Sequence, residues 1–258
     1  MARRPRYDRR FFGQMDRLSP DGAADFAHRV LELVPARSVV DLGCGTGAWL
    51  AALMAAGVAD VLGVDGGWVP ASMLKIPPDR FVEHDLTTPF TLDRRYDLAL
   101  CIEVAEHLPG ADADRLVGEL TAAAPVVLFS AAVPGQGGTS HVNEQWPDYW
   151  AALFERHHYV VLDALRPAIW RDARLPSYLR QNVLLFASRE AVAASPALTA
   201  ARAATDERRL SIVHPGEYAR ATEPGQMSLR HLLSDLPAVA TATWRRRTGD
   251  VQRRPNDG

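Results

Sequence analysis

Three side chains with the spacing of a metal site follow an apolar stretch that is typical of a buried strand. They are Glu103, Glu106 and His107. If a helix begins at Glu103, the three side chains fall at positions i, i+3 and i+4 and share one helix face. Two carboxylates and an imidazole on one face can hold a hard divalent cation and leave positions open for substrate oxygens. The spacing therefore predicts a candidate cation site here.

A second group of polar residues follows the next predicted strand. The glycine-rich stretch Pro134–Ser140 leads into His141, and polar side chains continue as far as Asp148. Polar residues on a glycine-hinged loop beside a sheet edge favour an active-site lid. His141 is a candidate general base toward an acceptor hydroxyl, or alternatively a ligand of the cation. A structural alternative is that Asn143 and Asp148 cap the next helix, with Pro147 in its first turn.

A glycine turn farther upstream provides a candidate ligand site. Residues Asp41–Gly47 read DLGCGTG, between a short apolar stretch and an alanine-rich helical stretch. Glycines allow a tight turn and a close approach of the backbone to a ligand, and the helix N-terminus offers free N–H groups. A nicotinamide enzyme would use the same kind of turn, because residues 43–48 satisfy the looser form G-x-G-x-x-A.

Three features favour a methionine-derived nucleoside over a dinucleotide at this turn. Asp41 lies two residues before the first glycine, where a carboxylate can meet the cationic amino group of a methionine moiety. The glycines alternate with other residues, which suits a nucleoside without a pyrophosphate. Asp85 and Leu86 follow the third predicted strand, where an acid and a backbone N–H can read an adenine edge. Asp65, which lies 20 residues after Gly45, suits ribose hydroxyls under either interpretation.

The turn resembles the first motif of the class I S-adenosylmethionine-dependent methyltransferases, and the resemblance covers about residues 36–188. Residues 66–68 (Gly-Gly-Trp) depart from the family, in which a longer helix is common at that place. The resemblance implies S-adenosylmethionine as the cofactor. The expected cofactor contacts are Asp41, Gly43, Cys44, Gly45, Gly47, Asp65, Gly66, Asp85, Leu86 and Glu103.

Residues 103–107 are also similar to the Glu-x-x-Glu-His element of metal-dependent ubiquinone-pathway and small-RNA 2′-O-methyltransferases. The small-RNA enzymes supply a further histidine from beyond the fifth strand, and His141 lies at a comparable place. The resemblance implies that Mg²⁺ or another divalent cation is held by Glu103, Glu106, His107 and His141. The same string occurs in relatives without a demonstrated metal. Under that alternative, Glu103 lines the cofactor pocket and His107 caps a helix.

The stretch from Cys101 to Phe186 is further similar to poorly characterised bacterial methyltransferases, which share EVAEH, HVNEQWP and a late Gln-Asn pair. Such proteins are presumed to act on glycans or secondary metabolites. We therefore expect a natural-product enzyme that methylates a small molecule, more readily on oxygen than on nitrogen or carbon. We assign catalytic roles to His141, Glu103 and His107.

The elements that must position these residues alternate between apolar strands and helical patterns. This alternation predicts an α/β fold, a seven-stranded, mostly parallel sheet with helices on both faces and an antiparallel last strand. The predicted strands are Ser38–Leu42, Asp60–Val64, Arg80–Glu83, Tyr96–Ile102, Pro125–Ser130, Tyr159–Leu165 and Asn182–Ala187. We expect a lead-in at 1–20, a methyltransferase domain at 21–188, a helical extension at 189–244 and a disordered tail at 245–258.

The composition excludes several classes of partner. The 258 residues carry a formal net charge of −2, so no general attraction to nucleic acid or to a membrane is expected. Lys75 is the only lysine, which makes individual arginines weak signals of a phosphate site, and we interpret four of them as a solvated face: Arg166, Arg171, Arg174 and Arg180. Cys44 and Cys101 form no metal-binding pattern. We expect a cytoplasmic protein, with a homo-oligomer compatible with the sequence.

Three other functions compete with a small-molecule methyltransferase. A nicotinamide-dependent oxidoreductase shares the glycine turn, but no Tyr-x-x-x-Lys pair accompanies it. An RNA 2′-O-methyltransferase would need a basic surface, which the net charge disfavours. A non-catalytic binding module of the same fold is disfavoured by the polar loop at His141.

Overall fold

The computed structural model describes residues 19–223 together with residues 236–237, 240–241 and 243–244. Most of the predicted lead-in and the whole of the predicted tail at 245–258 therefore lie outside the described residues. The chain divides after His214 into two compact units, which are described separately. No helix in the described parts of the chain is both long enough and apolar enough to cross a bilayer.

One seven-stranded sheet organises the first unit within residues 19–214. The strands are β1 (Ser38–Leu42), β2 (Asp60–Asp65), β3 (Phe81–Glu83), β4 (Leu98–Ile102), β5 (Val126–Ser130), β6 (Tyr159–Leu162) and β7 (Leu184–Ser188). Their order across the sheet is β3-β2-β1-β4-β5-β7-β6. The pairs among β1 to β5 are parallel, whereas β7 runs antiparallel to both β5 and β6. The predicted fold class is confirmed.

Helices cover both faces of this sheet. They are α1 (Pro20–Leu33), α2 (Ala48–Ala55), α3 (Ala113–Ala123), α4 (Pro147–Arg156), α5 (Leu165–Ile169), α6 (Ser177–Asn182), α7 (Arg189–Ala194) and α8 (Pro196–Ala204). The second unit contains α9 (Pro215–Thr222). Strand β6 ends three residues before its predicted end, because the chain turns there into α5.

Two apolar layers follow from this arrangement. On one face, Phe26 of α1 and Leu50 of α2 belong to a buried cluster with residues of the sheet. On the other face, α3 and α4 pack on the sheet, and Trp150 lies 5.1 Å from Phe129, measured between ring centroids. Every residue of β4 and β5 is buried, as continuous apolar strands in the middle of a parallel sheet require.

The interpretation of Arg166 as a solvated residue is wrong. Its side chain is fully buried, and the guanidinium donates to both carboxylate oxygens of Asp163 and to the carbonyls of Gln181 and Leu210. A buried guanidinium is tolerated only when its donors are satisfied in this way. This arginine thus joins β6, α6 and the segment that follows α8.

The parallel strands bring their carboxyl ends to one edge of the sheet. Leu42 at the end of β1 is level with Val64, and Ile102 at the end of β4 is level with Ser130. The residues that follow these strands therefore meet at this edge, where open α/β sheets bind their ligands. All three groups of residues singled out in the sequence follow β1, β4 or β5.

Candidate functional site

The glycine turn after β1 adopts a conformation that other residues rarely tolerate. Gly43, Gly45 and Gly47 all have positive φ angles, of 87°, 54° and 78°. A Cβ on Gly43 would lie 2.4 Å from a methyl carbon of Val104, so a side chain has no room there. The turn ends as the first residues of α2 begin, with Gly47 at the N-cap. The backbone of the turn is thereby left bare at the sheet edge, as a closely bound ligand requires.

Asp41, at the end of β1, is a buried carboxylate that lacks a full set of partners. Its side chain is 1% exposed, and Oδ1 has no hydrogen-bond partner among the described residues. Burial, together with the nearby charge of Asp65, raises the pKa of Asp41 to about 7. A buried acceptor of this kind needs a donor or a cation to offset its desolvation. The arrangement fits the cationic amino group of S-adenosylmethionine.

Asp65 ties the end of β2 to the glycine turn. Its carboxylate accepts hydrogen bonds from the backbone N–H of Gly45 (2.7 Å), the N–H of Gly66 (2.7 Å) and the indole Nε1–H of Trp68 (3.0 Å). Burial raises the pKa of Asp65, although these three bonds act in the opposite direction. A Cβ on Gly66 would lie 2.2 Å from an indole carbon. The Gly-Gly-Trp departure from the family pattern thus lets Trp68 fold back onto Asp65.

The remaining predicted cofactor residues take different positions near this edge. Asp85 is exposed just after β3, and its Oδ1 accepts from the backbone N–H and the hydroxyl of Thr87. Leu86 is buried, and its carbonyl accepts from Arg115. The thiol of Cys44 packs toward Gly63 of β2, where burial raises the pKa of the thiol. Cys44 therefore offers a ligand its backbone and not its side chain.

The condition that a helix begins at Glu103 is not met. Glu103 has a φ of +55°, and a short 3₁₀ turn follows at Ala105–His107. The N–H of Glu103 still donates to the carbonyl of Ser130 (3.0 Å) at the end of the neighbouring strand, and the positive φ at Glu103 then turns the backbone out of the strand. The i, i+3, i+4 spacing is therefore not the spacing of one helix face.

The carboxylate of Glu103 is held by two amides. Oε1 accepts from Nδ2 of Asn182, and Oε2 accepts from Nε2 of Gln136, both at 3.0 Å. Burial raises the pKa of Glu103, and the bonds from Asn182, Ser130 and Gln136 oppose that shift. Gln136 had no signal in the sequence beyond its place in the glycine-rich stretch, and Asn182 was indicated only by the Gln-Asn pair of the family resemblance.

The structure brings together Glu106, His107 and His141, whose potential ligand atoms all lie within 4.8 Å of one another. Glu103 lies outside this group. Glu106 is fully buried, and burial, reinforced by the charge of Glu103, raises its pKa well above the usual range. Within the described residues, neither carboxylate oxygen of Glu106 has a hydrogen bond of standard geometry. The backbone N–H groups of Glu106 and Ala132 act to lower its pKa but do not outweigh burial.

The two histidines of this group are held differently. Burial and the neighbouring His141 lower the pKa of His107 to about 4, so that this imidazole is neutral near pH 7. The two rings meet edge to face with their centroids 4.9 Å apart. Nδ1 of His141 lies 2.8 Å from Oε1 of Glu144. Two imidazoles beside a buried carboxylate fit the donor set of a divalent cation.

The glycine-rich loop is fastened to the same glutamate. Glu144 also accepts from the backbone N–H groups of Gly135 and Gly137, each at 2.8 Å. Burial would raise the pKa of Glu144, but the bonds from His141 and from the two glycines outweigh it and lower the pKa. Glu144 was not assigned a role from the sequence, and only its place within the polar stretch could have indicated it.

The alternative that Asn143 and Asp148 cap α4 is wrong. Trp146 occupies the N-cap, and no side chain caps the helix by a hydrogen bond. Asn143 is buried and accepts from Gln145, while Asp148 is bonded to Ser211. Pro147 does occupy the first turn, as expected.

Comparisons with known proteins bear on what this edge of the sheet can bind. A family model described as a methyltransferase domain matches residues 12–171. No curated protein sequence matches the chain. Among solved structures, the chain is similar to the sugar N-methyltransferase KedS8 from Streptoalloteichus sp. ATCC 53650, with 17% identity and a TM-score of 0.54 over 70% of this chain and 92% of that one.

Two further structures show the range of the similarity. The first is CalS10 from Micromonospora echinaspora, an amino pentose methyltransferase of calicheamicin biosynthesis with S-adenosylmethionine bound; it has 18% identity and a TM-score of 0.51 over 70% of this chain and 97% of that one. The second is an O-methyltransferase family protein from Burkholderia thailandensis, with 15% identity and a TM-score of 0.46 over 66% of this chain. This chain covers only 58% of the length of that protein. At these identities the likenesses to KedS8 and CalS10 establish the fold.

Proposed function

We propose that this chain, which belongs to the class I S-adenosylmethionine-dependent methyltransferase family, transfers a methyl group to a hydroxyl of a small-molecule acceptor. The proposed acceptor is a sugar or a secondary metabolite. The observation that carries the proposal is the pairing of two features at one sheet edge. One is the bare glycine turn beside the buried Asp41, and the other is the imidazole of His141 on the loop that follows β5.

The residues around the turn have complementary roles toward the cofactor. Asp41 would receive the cationic amino group, because a positive charge offsets the cost of the buried carboxylate. The glycine turn would let the backbone approach the nucleoside, and Asp65 would offer its remaining acceptor capacity to the ribose hydroxyls. Asp85 and Leu86 would meet the adenine.

His141 would act on the acceptor. Its Nδ1 is engaged by Glu144, so Nε2 is the nitrogen that can take the proton of the acceptor hydroxyl. When bound, S-adenosylmethionine would supply the methyl carbon to a lone pair of the acceptor oxygen, and the electron pair of the broken C–S bond would stay on sulfur. Holding the acceptor in line with that bond provides much of the rate. Proton removal by a positioned base contributes about 10²- to 10⁴-fold.

A divalent cation is a second component that the geometry supports. Glu106, His107 and His141 would hold it, and two imidazoles favour a transition-metal cation over Mg²⁺. Such a cation would lower the pKa of a bound hydroxyl, as bound metals do for water. Because Nδ1 of His141 is already occupied, Nε2 cannot serve as base and as ligand in the same step. The two roles are therefore alternatives.

The identity of the cofactor is tested by calorimetric titration of the purified protein. The protein is titrated with S-adenosylmethionine and then with NAD, each with and without magnesium, manganese or EDTA. We expect S-adenosylmethionine to bind in the micromolar range and NAD not to bind. Binding of NAD without binding of S-adenosylmethionine would refute the proposal. A binding enthalpy that changes with the added metal would favour the role of His141 as a cation ligand over its role as a general base.

The acceptor is tested with methyl-labelled S-adenosylmethionine and a panel of glycosides, amino sugars, small phenols and a short RNA. We expect label on hydroxyl oxygens of a small molecule. In His141→Ala, turnover should fall about 100-fold or more while cofactor affinity stays unchanged. His28→Ala, on the exposed face of α1, is the matched control and should keep full turnover. Full turnover in His141→Ala would exclude the proposed catalytic role of His141. Label on the RNA would favour the function of an RNA methyltransferase instead.

A further inference from the structure

We infer that Glu144 is the positioning residue of the site: it holds the His141 ring in one orientation and one tautomer, with Nδ1–H toward Glu144 and the lone pair on Nε2. The consequence for catalysis rests on the proposed function. The arrangement of the ring does not, and it can be measured separately.

The tautomer follows from the partners of the carboxylate. An ionised glutamate has only acceptor oxygens, so each group within hydrogen-bond distance of it must donate. Oε1 of Glu144 lies 2.8 Å from Nδ1 of His141 and also accepts from the N–H of Gly137, while Oε2 accepts from the N–H of Gly135. Nδ1 therefore carries a hydrogen, and in the neutral ring Nε2 does not.

The carboxylate is itself fixed by the loop. Backbone N–H groups cannot rotate away as side chains do, so two of them, at Gly135 and Gly137, define where Glu144 sits. The Glu144 side chain is only 19% exposed, which protects its bond to His141 from water. A shielded, charge-assisted hydrogen bond of 2.8 Å is worth more than an exposed one.

The surroundings of the ring restrict it further. A Cβ on Gly138 would lie 2.1 Å from Nε2 of His141, so only glycine leaves room for this nitrogen. On its other side the ring meets His107 edge to face. The backbone N–H groups of residues 142 and 143 donate to the carbonyl of Glu106, which anchors the segment between His141 and Glu144. Loop, glutamate and imidazole thus form one connected unit.

The test uses three variants of the whole protein. Glu144→Leu removes both acceptors at similar volume, and Glu144→Gln keeps one acceptor for the imidazole but cannot hold both glycine N–H groups. Glu155→Leu, on the exposed side of α4, is the matched control. The primary readout is ¹⁵N NMR of the His141 side chain, which reports which ring nitrogen carries the hydrogen in the neutral form.

We expect the wild type and Glu155→Leu to show the Nδ1–H tautomer alone, and Glu144→Leu to populate both tautomers. On the most active acceptor of the panel, kcat of Glu144→Leu should fall about 100-fold while the KM for S-adenosylmethionine changes less than about two-fold. Glu144→Gln should recover part of this loss, because its amide oxygen can still accept from Nδ1–H.

Retention of the Nδ1–H tautomer alone in Glu144→Leu, or a wild-type kcat after the tautomer is lost, would overturn the assignment. If Glu144→Leu does not fold, the ¹⁵N spectrum and the kcat of Glu144→Gln test the assignment instead. An unchanged kcat in a variant that has lost the Nδ1–H tautomer would contradict the positioning role of Glu144. Failure of the proposed function has a different signature: His141→Ala keeps full turnover, whatever the spectrum of the Glu144 variants shows.

Discussion

Replacing Asp41 by asparagine should stabilise the free protein and weaken its binding of S-adenosylmethionine. In the folded protein the pKa of Asp41 is about 7, raised from 3.8 chiefly by burial. A carboxyl whose pKa is raised on folding holds its proton more tightly in the folded state than in the unfolded state. As the pH rises, ionisation therefore lowers the free energy of the unfolded state at a lower pH than that of the folded state. The free energy of unfolding decreases accordingly.

The size of the effect follows from this shift. The loss begins near pH 3.8, grows up to about pH 7 and levels off above it, where a shift of roughly three units corresponds to about 4 kcal/mol. Asparagine removes the charge but introduces an NH₂ group that needs acceptors, at a cost of about 1–3 kcal/mol. The net gain in the free energy of unfolding at pH 8 is then about 1–3 kcal/mol, or roughly 2–10 °C in Tm.

The assay is thermal unfolding of the free protein at pH 5, 6, 7 and 8, with Asp93→Asn as a control at an exposed aspartate. The advantage of Asp41→Asn over the wild type should increase from pH 5 to pH 7 and then stay constant. Calorimetry at pH 8 should show S-adenosylmethionine binding weakened about 10- to 100-fold, since a bond between charged groups is lost. A difference in Tm that does not grow between pH 5 and pH 7 would refute the reasoning.

Further predictions concern the turn, the thiols and the buried arginine. Gly43→Ala should lower the free energy of unfolding in urea by about 1–3 kcal/mol more than Gly57→Ala, because both positions have positive φ but only Gly43 lacks room for a Cβ; equal losses would contradict this. Cys44 and Cys101 are buried with raised thiol pKa values, so neither should react with iodoacetamide at pH 8 until urea unfolds the protein, as mass spectrometry would reveal. Arg166→Met should cost about 3–5 kcal/mol in urea unfolding, because it leaves a carboxylate and two carbonyls unpaired, whereas a solvated arginine would cost almost nothing.

The sequence by itself determined the sheet and the glycine turn. Continuous apolar runs of five residues, such as those of β4 and β5, are too short for a typical helix and are typical of strands covered on both faces of a parallel sheet. Glycines at alternate positions after a strand indicate a backbone that must turn tightly and stay bare, and residues 43–47 do so. Local backbone preference and side-chain period decide both features, and both can be read along the chain.

Only the tertiary structure decided which polar side chains meet. The sequence spacing grouped Glu103 with Glu106 and His107. In the structure, the Glu103 carboxylate instead accepts from the side-chain amides of Gln136 and Asn182, which lie 33 and 79 residues farther along the chain. Arg166 is likewise buried because Asp163 and two distant carbonyls satisfy its donors, which no local pattern reveals. The burial and partners of a polar group depend on packing between elements far apart in sequence, and those contacts set its pKa, its orientation and its role.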